Sequence, residues 1–201
     1  QLGLKNITLV VQDWGSGLGF HYANSHRENI KAIAFMEAMY KPVDWHSMSF
    51  GDKLAMKTIQ SKFMSYLMLG VANQFVNYML PIWTERELAA AEMQVYSKPF
   101  EQLKSRKPVW VFPRDVPVKG KPAHTAKVVA DYFHWLQQTD IPKICFYADP
   151  GLLIRVKDAE WISQNFPNTT MVKLGKGTHY IQEDFPHEIG SKLSKWFVEI
   201  S

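Results

Sequence analysis

Short runs of apolar, β-branched residues alternate with helix-like stretches at the start of the chain. The run at residues 7–11 and the run at residues 30–36 lie on either side of a stretch of helical character at residues 18–27. A strand, a helix and a second strand in this order form a βαβ unit. The pattern therefore predicts a parallel sheet covered by helices.

The same alternation returns in the last third of the chain. Apolar runs at residues 144–148 and 170–174 surround a helical stretch at residues 157–165, and an amphipathic helix is predicted over residues 186–198. A glycine-containing loop is predicted at residues 175–178, directly before His179.

The middle of the chain has a different character. Residues 42–132 are rich in Met, Trp, Phe and Tyr, show helical periodicity at 53–68 and 85–95, and contain one short strand-like run, Val109–Phe112. A helix from Ala123 to Gln137 is predicted to close this region. The predicted organisation is an α/β core formed by residues 1–41 and 133–201, with a mostly helical insertion at residues 42–132.

Composition narrows the class of protein. With 201 residues, 46% of them hydrophobic, the chain can bury one sizeable core. Its net charge of +4 comes from scattered basic residues, which argues against a nucleic-acid surface. No apolar run has the length needed to span a bilayer, so no membrane partner is expected. The single cysteine, Cys145, lies in an apolar run, which predicts a buried, inert thiol and favours a cytoplasmic location, with the periplasm left open.

Four acidic or basic residues directly follow predicted strands. They are Asp13, Glu37, Asp149 and His179. Because ligands bind at the carboxyl ends of strands in open parallel sheets, these side chains form a candidate active site. Asp13 lies where a strand turns into a helix through Gly15, which resembles a nucleophile elbow with a carboxylate in place of the usual hydroxyl. The alternative is that Asp13 only caps the helix.

A carboxylate nucleophile favours one kind of chemistry. Its attack on a saturated carbon leaves an ester, which water can hydrolyse, whereas a serine would leave an ether. His179 is the candidate base for that hydrolysis, although a solvated loop histidine is the simpler alternative. Glu37 and Asp149 compete as the acid that orients His179. Glu37 is favoured, because Asp149 precedes Pro-Gly and has a turn-forming role to explain it.

Three segments resemble those of haloalkane dehalogenases. Residues 10–21, VVQDWGSGLGFH, are similar to the nucleophile segment of that family. Residues 33–38, IAFMEA, are similar to the acid segment of the subgroup that uses Glu, and residues 177–184, GTHYIQED, are similar to the histidine segment. The region between them, including residues 73–81, 99–100 and 112–114, is similar to the family's helical cap, so the likeness covers nearly the whole chain.

The resemblance implies an α/β-hydrolase fold with a helical cap, and a small haloalkane as substrate. It implies Asp13 as nucleophile, Glu37 as acid, His179 as base and Trp14 as one of two halide-binding side chains. It also implies a substrate pocket without metal or organic cofactor, lined by Phe75, Met79, Leu152, Leu153 and Tyr180. Family members begin with further strands and a His-Gly-Asn type loop that are not found here. We therefore expect an incomplete chain that lacks the second halide-binding residue.

Two other activities on the same fold stay open at this stage. Epoxide hydrolases share the Asp nucleophile and need two tyrosines to protonate the epoxide oxygen, for which Tyr66, Tyr78, Tyr96 and Tyr132 are available. Coelenterazine-type luciferases share much of the same constellation. A binding module without catalysis is the least favoured alternative, because it leaves the four strand-end residues unexplained.

Overall fold

The computed structural model describes residues 3–201. It divides into two compact units. The core unit comprises the chain up to Lys41 together with Val128–Ser201, and the helical unit comprises Pro42–Lys127. The sequence placed the end of the insertion at residue 132, and that domain boundary stays a prediction.

The core unit contains a four-stranded parallel sheet. Its strands are β1 (Ile7–Gln12), β2 (Ile30–Ala38), β3 (Lys143–Pro150) and β4 (Thr169–Gly177), in the spatial order β1-β2-β3-β4. Val11 pairs with Phe35, Phe35 with Cys145, and Cys145 with Met171, so the four strands are aligned across their middle. A parallel sheet built from successive β-α units confirms the predicted α/β class.

The helices of the described residues, in chain order, are α1 (Asp13–Ser25), α2 (Phe50–Gln60), α3 (Lys62–Ser65), α4 (Leu80–Ile82), α5 (Ala90–Ser97), α6 (Lys107–Val111), α7 (Ala123–Leu136), α8 (Val156–Asn165), α9 (Ile181–Asp184) and α10 (Pro186–Glu199). Short 3₁₀ turns connect several of them, at Arg27–Asn29, Trp45–Ser47, Lys98–Phe100, Leu103–Arg106 and Phe112–Asp115.

The two faces of the sheet pack against different helices. Alternate residues of β2 point to opposite faces, as the two-residue repeat of a strand requires. Ile33 and Phe35 belong to a cluster that contains Phe20 of α1. Ala34 and Met36 belong to a second cluster, with residues of α9 and α10. Because both faces are covered, β2 is an almost continuous apolar run rather than an alternating one.

The helical unit consists mainly of helices. Besides α2–α6 it contains two π-helical segments, Tyr66–Val71 and Phe75–Met79. The guanidinium group of Arg106 donates hydrogen bonds to the carbonyl oxygens of Gly70, Val71, Phe100 and Glu101. A single side chain thus binds carbonyls from two separate stretches of this unit and ties them together.

The prediction of a strand at Val109–Phe112 was wrong. These residues lie in α6 and in the 3₁₀ turn that follows it. Pro108 occupies the first turn of α6, where a missing N–H costs nothing, and therefore favours helix initiation. A four-residue apolar run shows no periodicity long enough to distinguish a helix from a strand.

The prediction of a loop at residues 175–178 was wrong for its first three residues, because β4 continues to Gly177. Lys176 pairs with Asp149, and Gly177 pairs with Pro150. A Cβ atom at Gly175 would lie only 2.9 Å from the ring of Phe185. Glycine is needed there for close packing and not for a turn.

Lys143, the first residue of β3, carries a buried ammonium group. Its Nζ donates to the carbonyl oxygens of Thr139 and Ile141, each at 2.8 Å, in the connection that follows α7. Burial lowers the pKa of Lys143 to about 8, against the opposing effect of nearby Asp140. The two carbonyls therefore hold a charge that the apolar surroundings disfavour.

Among residues 3–201, no helix is both long enough and apolar enough to cross a membrane.

Candidate active site

Asp13 stands at a sharp corner between β1 and α1. Gln12 still has extended backbone angles, whereas Asp13 has a φ of 47° in the left-handed region, and the helix begins at once. A non-glycine residue in that region costs on the order of 1–2 kcal/mol. Such a strained corner lifts its side chain above the carboxyl edge of the sheet, as in the nucleophile elbow.

Ser16 stabilises this corner. Its hydroxyl group is buried, donates a hydrogen bond to the carbonyl oxygen of Asp13 and accepts one from the backbone N–H of Met39, at 2.8 Å. Met39 directly follows β2. One hydroxyl group therefore joins the first turn of α1 to the end of the neighbouring strand, and fixes the spacing between the segments that carry Asp13 and Glu37.

Glu37 is a fully buried carboxylate near the end of β2. Its oxygens accept hydrogen bonds from the backbone N–H groups of Leu152 (3.2 Å), Leu153 (2.8 Å) and Ile154 (3.2 Å). Three backbone donors stabilise a buried negative charge that would otherwise be strongly disfavoured.

The loop after β3 can present these N–H groups because of Gly151. This residue has a φ of 66°, and a Cβ atom on it would lie 2.3 Å from the carbonyl oxygen of Ile154. Only glycine allows the chain to fold back so closely.

His179 lies between the two carboxylates. Its Nδ1 atom is 3.1 Å from Oε2 of Glu37, and its Nε2 atom is 3.6 Å from Oδ1 of Asp13. The first distance is that of a hydrogen bond and the second is longer than one. The side chain of Asp13 is 34% exposed, whereas that of His179 is 4% exposed. The nucleophile candidate is therefore accessible from solvent, while the base candidate is buried behind it.

The competing acid, Asp149, is placed differently. Its side chain is 57% exposed and lies 3.8 Å from Nζ of Lys173 on the neighbouring strand. Of the two acids that the sequence left open, Glu37 is the one whose carboxylate contacts His179.

The remaining predicted site residues lie in both units. Trp14 follows Asp13 in α1, and the ring of Tyr180 packs edge-on against His179 with centroids 4.9 Å apart. Leu152 and Leu153 contact Glu37 through their backbone N–H groups. The other two, Phe75 and Met79, lie in the second π-helical segment of the helical unit.

The sequence analysis did not find two contributors to the candidate active site. One is the set of backbone N–H groups that bind Glu37, for which the Pro-Gly pair after Asp149 was a signal, since it predicts a turn at that place. The other is Gln12, whose side-chain nitrogen lies 3.2 Å from Nε2 of His179. No local pattern indicates this contact, because the two residues are 167 positions apart.

Cys145 is buried in the middle of β3, as predicted for an inert thiol. Burial raises the pKa of the Cys145 thiol, and the negative charge of Glu37 raises it further. The thiol therefore stays protonated and does not compete as a nucleophile.

This arrangement has the parts for covalent catalysis. It contains an accessible carboxylate on a strained corner, an imidazole whose second nitrogen faces that carboxylate, and a buried acid that orients the imidazole. The same logic of nucleophile, base and orienting acid operates in hydrolytic triads.

Comparison with known proteins concerns the chain as a whole. The family model described as alpha/beta hydrolase fold matches residues 1–186. The crystal structure of an ancestral haloalkane dehalogenase is 33% identical in sequence and superposes with a TM-score of 0.95, covering 99% of this chain and 70% of that one. The chain belongs to the haloalkane dehalogenase family of α/β-hydrolases.

Two further members of the family show the extent of the match. The haloalkane dehalogenase DbeA from Bradyrhizobium elkani has a TM-score of 0.95 at 30% identity, covering 99% of this chain and 69% of that one. The curated haloalkane dehalogenase of Sphingobium indicum is 38% identical over 191 residues, which are 94% of this chain and 63% of that dehalogenase. The chain thus spans less than two thirds of the length of this curated relative.

Proposed function

We propose that the protein hydrolyses the carbon–halogen bond of small haloalkanes, giving an alcohol and a halide ion. The observation that carries the proposal is the position of His179, which contacts the buried Glu37 at Nδ1 and faces the accessible Asp13 at Nε2. A carboxylate in the place of the nucleophile favours attack on a saturated carbon, as the ester that results can be hydrolysed.

In the first step, a carboxylate oxygen of Asp13 attacks the carbon that bears the halogen. A carbon–oxygen bond forms, the carbon–halogen bond breaks, and the halogen leaves with the bonding electron pair as halide. No proton moves in this step. The N-terminal end of α1 favours negative charge beside Asp13. The indole N–H of Trp14 is proposed to bind the departing halide, because it can donate a hydrogen bond but cannot accept one.

In the second step, water hydrolyses the ester. Nε2 of His179 takes a proton from the water, whose oxygen attacks the carboxyl carbon of Asp13. The bond from that carbon to the alkyl oxygen then breaks, and the alkyl oxygen takes the remaining proton of the attacking hydroxyl group and leaves as alcohol. The carboxylate of Asp13 is restored, and His179 gives its proton to solvent. Over the cycle, one haloalkane and one water give one alcohol, one halide and one proton. The carboxylate of Glu37 stabilises His179 while it carries the positive charge.

The decisive experiment traps the ester. Replacement of His179 with Phe removes the base and leaves Asp13 in place, so the complete gene product should accumulate a covalent adduct with 1,2-dibromoethane. We expect peptide mass spectrometry to find the mass of a bromoethyl group on the peptide that contains Asp13. The matched control carries Asp13→Asn in addition to His179→Phe and should show no adduct.

The result against the proposal would be a folded His179→Phe protein without an adduct on Asp13, together with no bromide release by the unmutated protein. The same preparations should be given an epoxide and coelenterazine. Diol formation without halide release, or light emission, would favour one of the two alternative activities on this fold.

One observation bears on the epoxide alternative. Tyr132, one of the four tyrosines considered for protonating an epoxide, lies buried in the core unit and donates its hydroxyl group to the carbonyl oxygen of Met39. That donor is already used inside the core. Tyr66, Tyr78 and Tyr96 remain as candidate donors for an epoxide, whereas a haloalkane substrate needs no such donor.

Two finer expectations stay predictions. One is the pocket lined by Phe75, Met79, Leu152, Leu153 and Tyr180. The other is a cytoplasmic location, for which the single buried cysteine is the only support.

A further inference from the structure

Gln12 contacts His179 at two atoms. Its side-chain amide nitrogen lies 3.3 Å from the backbone carbonyl oxygen of His179 and 3.2 Å from Nε2 of the ring. Gln12 is the last residue of β1, whereas His179 follows β4, and β2 and β3 lie between those strands. The contact therefore links the two outer strands above the carboxyl edge of the sheet.

The carbonyl oxygen fixes how the amide is turned. A backbone carbonyl can only accept a hydrogen bond, so the amide must present its NH₂ group and not its oxygen to His179. An NH₂ group has two hydrogens and accepts no hydrogen bond. The second hydrogen therefore points toward Nε2 and favours Nε2 as an acceptor, whereas the carboxylate of Asp13, whose Oδ1 lies 3.6 Å from Nε2, favours a proton there.

The same requirement comes from the opposite side of the ring. Nδ1 lies 3.1 Å from Oε2 of Glu37, and a carboxylate needs a proton on the nitrogen that faces it. Gln12 and Glu37 thus favour the same neutral tautomer of His179, with the proton on Nδ1 and the lone pair on Nε2. That tautomer is the one that a base acting through Nε2 requires.

We propose that Gln12 is a positioning residue, which keeps Nε2 of His179 unprotonated and aimed at the reaction site between catalytic steps. This inference rests on the proposed function for its catalytic meaning. The hydrogen bond to Nε2 exists only while Nε2 carries no proton. In the imidazolium form, the N–H at Nε2 would point at the hydrogens of the amide instead. Gln12 therefore opposes premature protonation of the base.

The length of the contact suits this role. At 3.2 Å it is at the long end for a hydrogen bond, so an incoming water can replace the amide at Nε2 without a large cost. The second contact, to the backbone carbonyl, holds the amide nearby. A neutral hydrogen bond of ordinary strength corresponds to a shift of about 0.5–1 pH unit in the protonation of its partner.

The test replaces Gln12 with Met, which has a similar unbranched shape and no N–H donor. In the complete gene product labelled with ¹⁵N-histidine, NMR reports both the tautomer and the protonation of His179. In the unmutated protein we expect one neutral tautomer, protonated at Nδ1. In Gln12→Met we expect a mixture of tautomers, and half-protonation at a pH that is higher by about 0.5–1 unit.

The kinetic readout is the acidic limb of the pH profile for kcat. It should move to higher pH by the same amount in Gln12→Met, while KM at the pH optimum stays unchanged. The matched control is Val11→Ala, which shortens the neighbouring side chain in β1 on the face that packs against the core. It should lower Tm and leave both the NMR titration and the pH profile where they are.

A second variant covers a folding failure of Gln12→Met. Gln12→Glu keeps the size and polarity of the side chain, but its carboxylate can only accept a hydrogen bond from Nε2. It should therefore raise the pH of half-protonation of His179 further than Gln12→Met does. Unchanged titration and tautomer in the folded variants would overturn the role of Gln12. Because the NMR readout needs no turnover, it decides this point even if the protein releases no halide, which would contradict the proposed function alone.

Discussion

Replacing Glu37 with Gln tests whether the buried carboxylate is held by the loop after β3. The substitution keeps the shape of the side chain but leaves one oxygen where there were two. If that oxygen takes the place of Oε2, it retains Leu153 and His179 as donors. The new NH₂ group then takes the place of Oε1 and faces the N–H of Ile154. It cannot accept the hydrogen bond that this N–H donates to Oε1.

The expected loss of stability follows from these contacts. A buried N–H of Ile154 without an acceptor costs about 1–3 kcal/mol. The hydrogen bonds that remain lose their charge-assisted character, which removes on the order of another 1 kcal/mol. We therefore expect the free energy of unfolding of Glu37→Gln to fall by about 2–4 kcal/mol.

Urea unfolding of the complete gene product, followed by tryptophan fluorescence, measures this difference. The control is Asp149→Asn, which makes the same chemical change at an exposed carboxylate 3.8 Å from Lys173 and should cost less than about 1 kcal/mol. Halide release should fall strongly in Glu37→Gln and stay near normal in Asp149→Asn. Equal unfolding free energies for Glu37→Gln and the unmutated protein would refute the reasoning.

Two further stability predictions use the same assay. Gly151→Ala places a Cβ atom 2.3 Å from a backbone oxygen at a positive φ, so the free energy of unfolding should fall by at least about 2 kcal/mol. The control, Gly190→Ala, lies in an open position on α10 and should leave that free energy unchanged or slightly higher. Equal effects of the two alanines would contradict this. Lys143→Met tests the buried ammonium group, whose pKa of about 8 in the folded protein lies below the usual 10.5. Between those pH values the unfolded chain holds more protons, so stability should rise with pH, by up to about 3 kcal/mol relative to Lys143→Met at the same pH. A constant difference between the two proteins from pH 7.5 to 10.5 would contradict the assignment.

Segments bounded by turn or polar residues could be predicted from the sequence, and the four-residue run Val109–Phe112 could not. The runs that became β1–β4 are bounded by turn residues or polar residues, so their positions follow from local signals. Val109–Phe112 has the composition of a strand but lies partly in α6, because Pro108 starts a helix there. Gly175 was taken as a sign of a flexible loop, whereas its lack of a side chain serves packing against Phe185.

The candidate site was predictable to the extent that it follows from topology. Asp13, Glu37 and His179 lie at or near the carboxyl ends of strands, and a parallel sheet brings such ends to one edge. The sequence favoured Glu37 over Asp149 as the orienting acid, because Asp149 precedes Pro-Gly, and the contact of Glu37 with His179 agrees with that choice. The contact of Gln12 with His179 was beyond the sequence, since it depends on side-chain directions at two strands that do not touch.

Asp13, Glu37 and His179, together with the loop N–H groups that bind Glu37, belong to the core unit. The 3.1 Å and 3.6 Å distances are thus set by the register of four strands and by one loop. We therefore expect substitutions confined to Pro42–Lys127 to leave these contacts within the core unit in place.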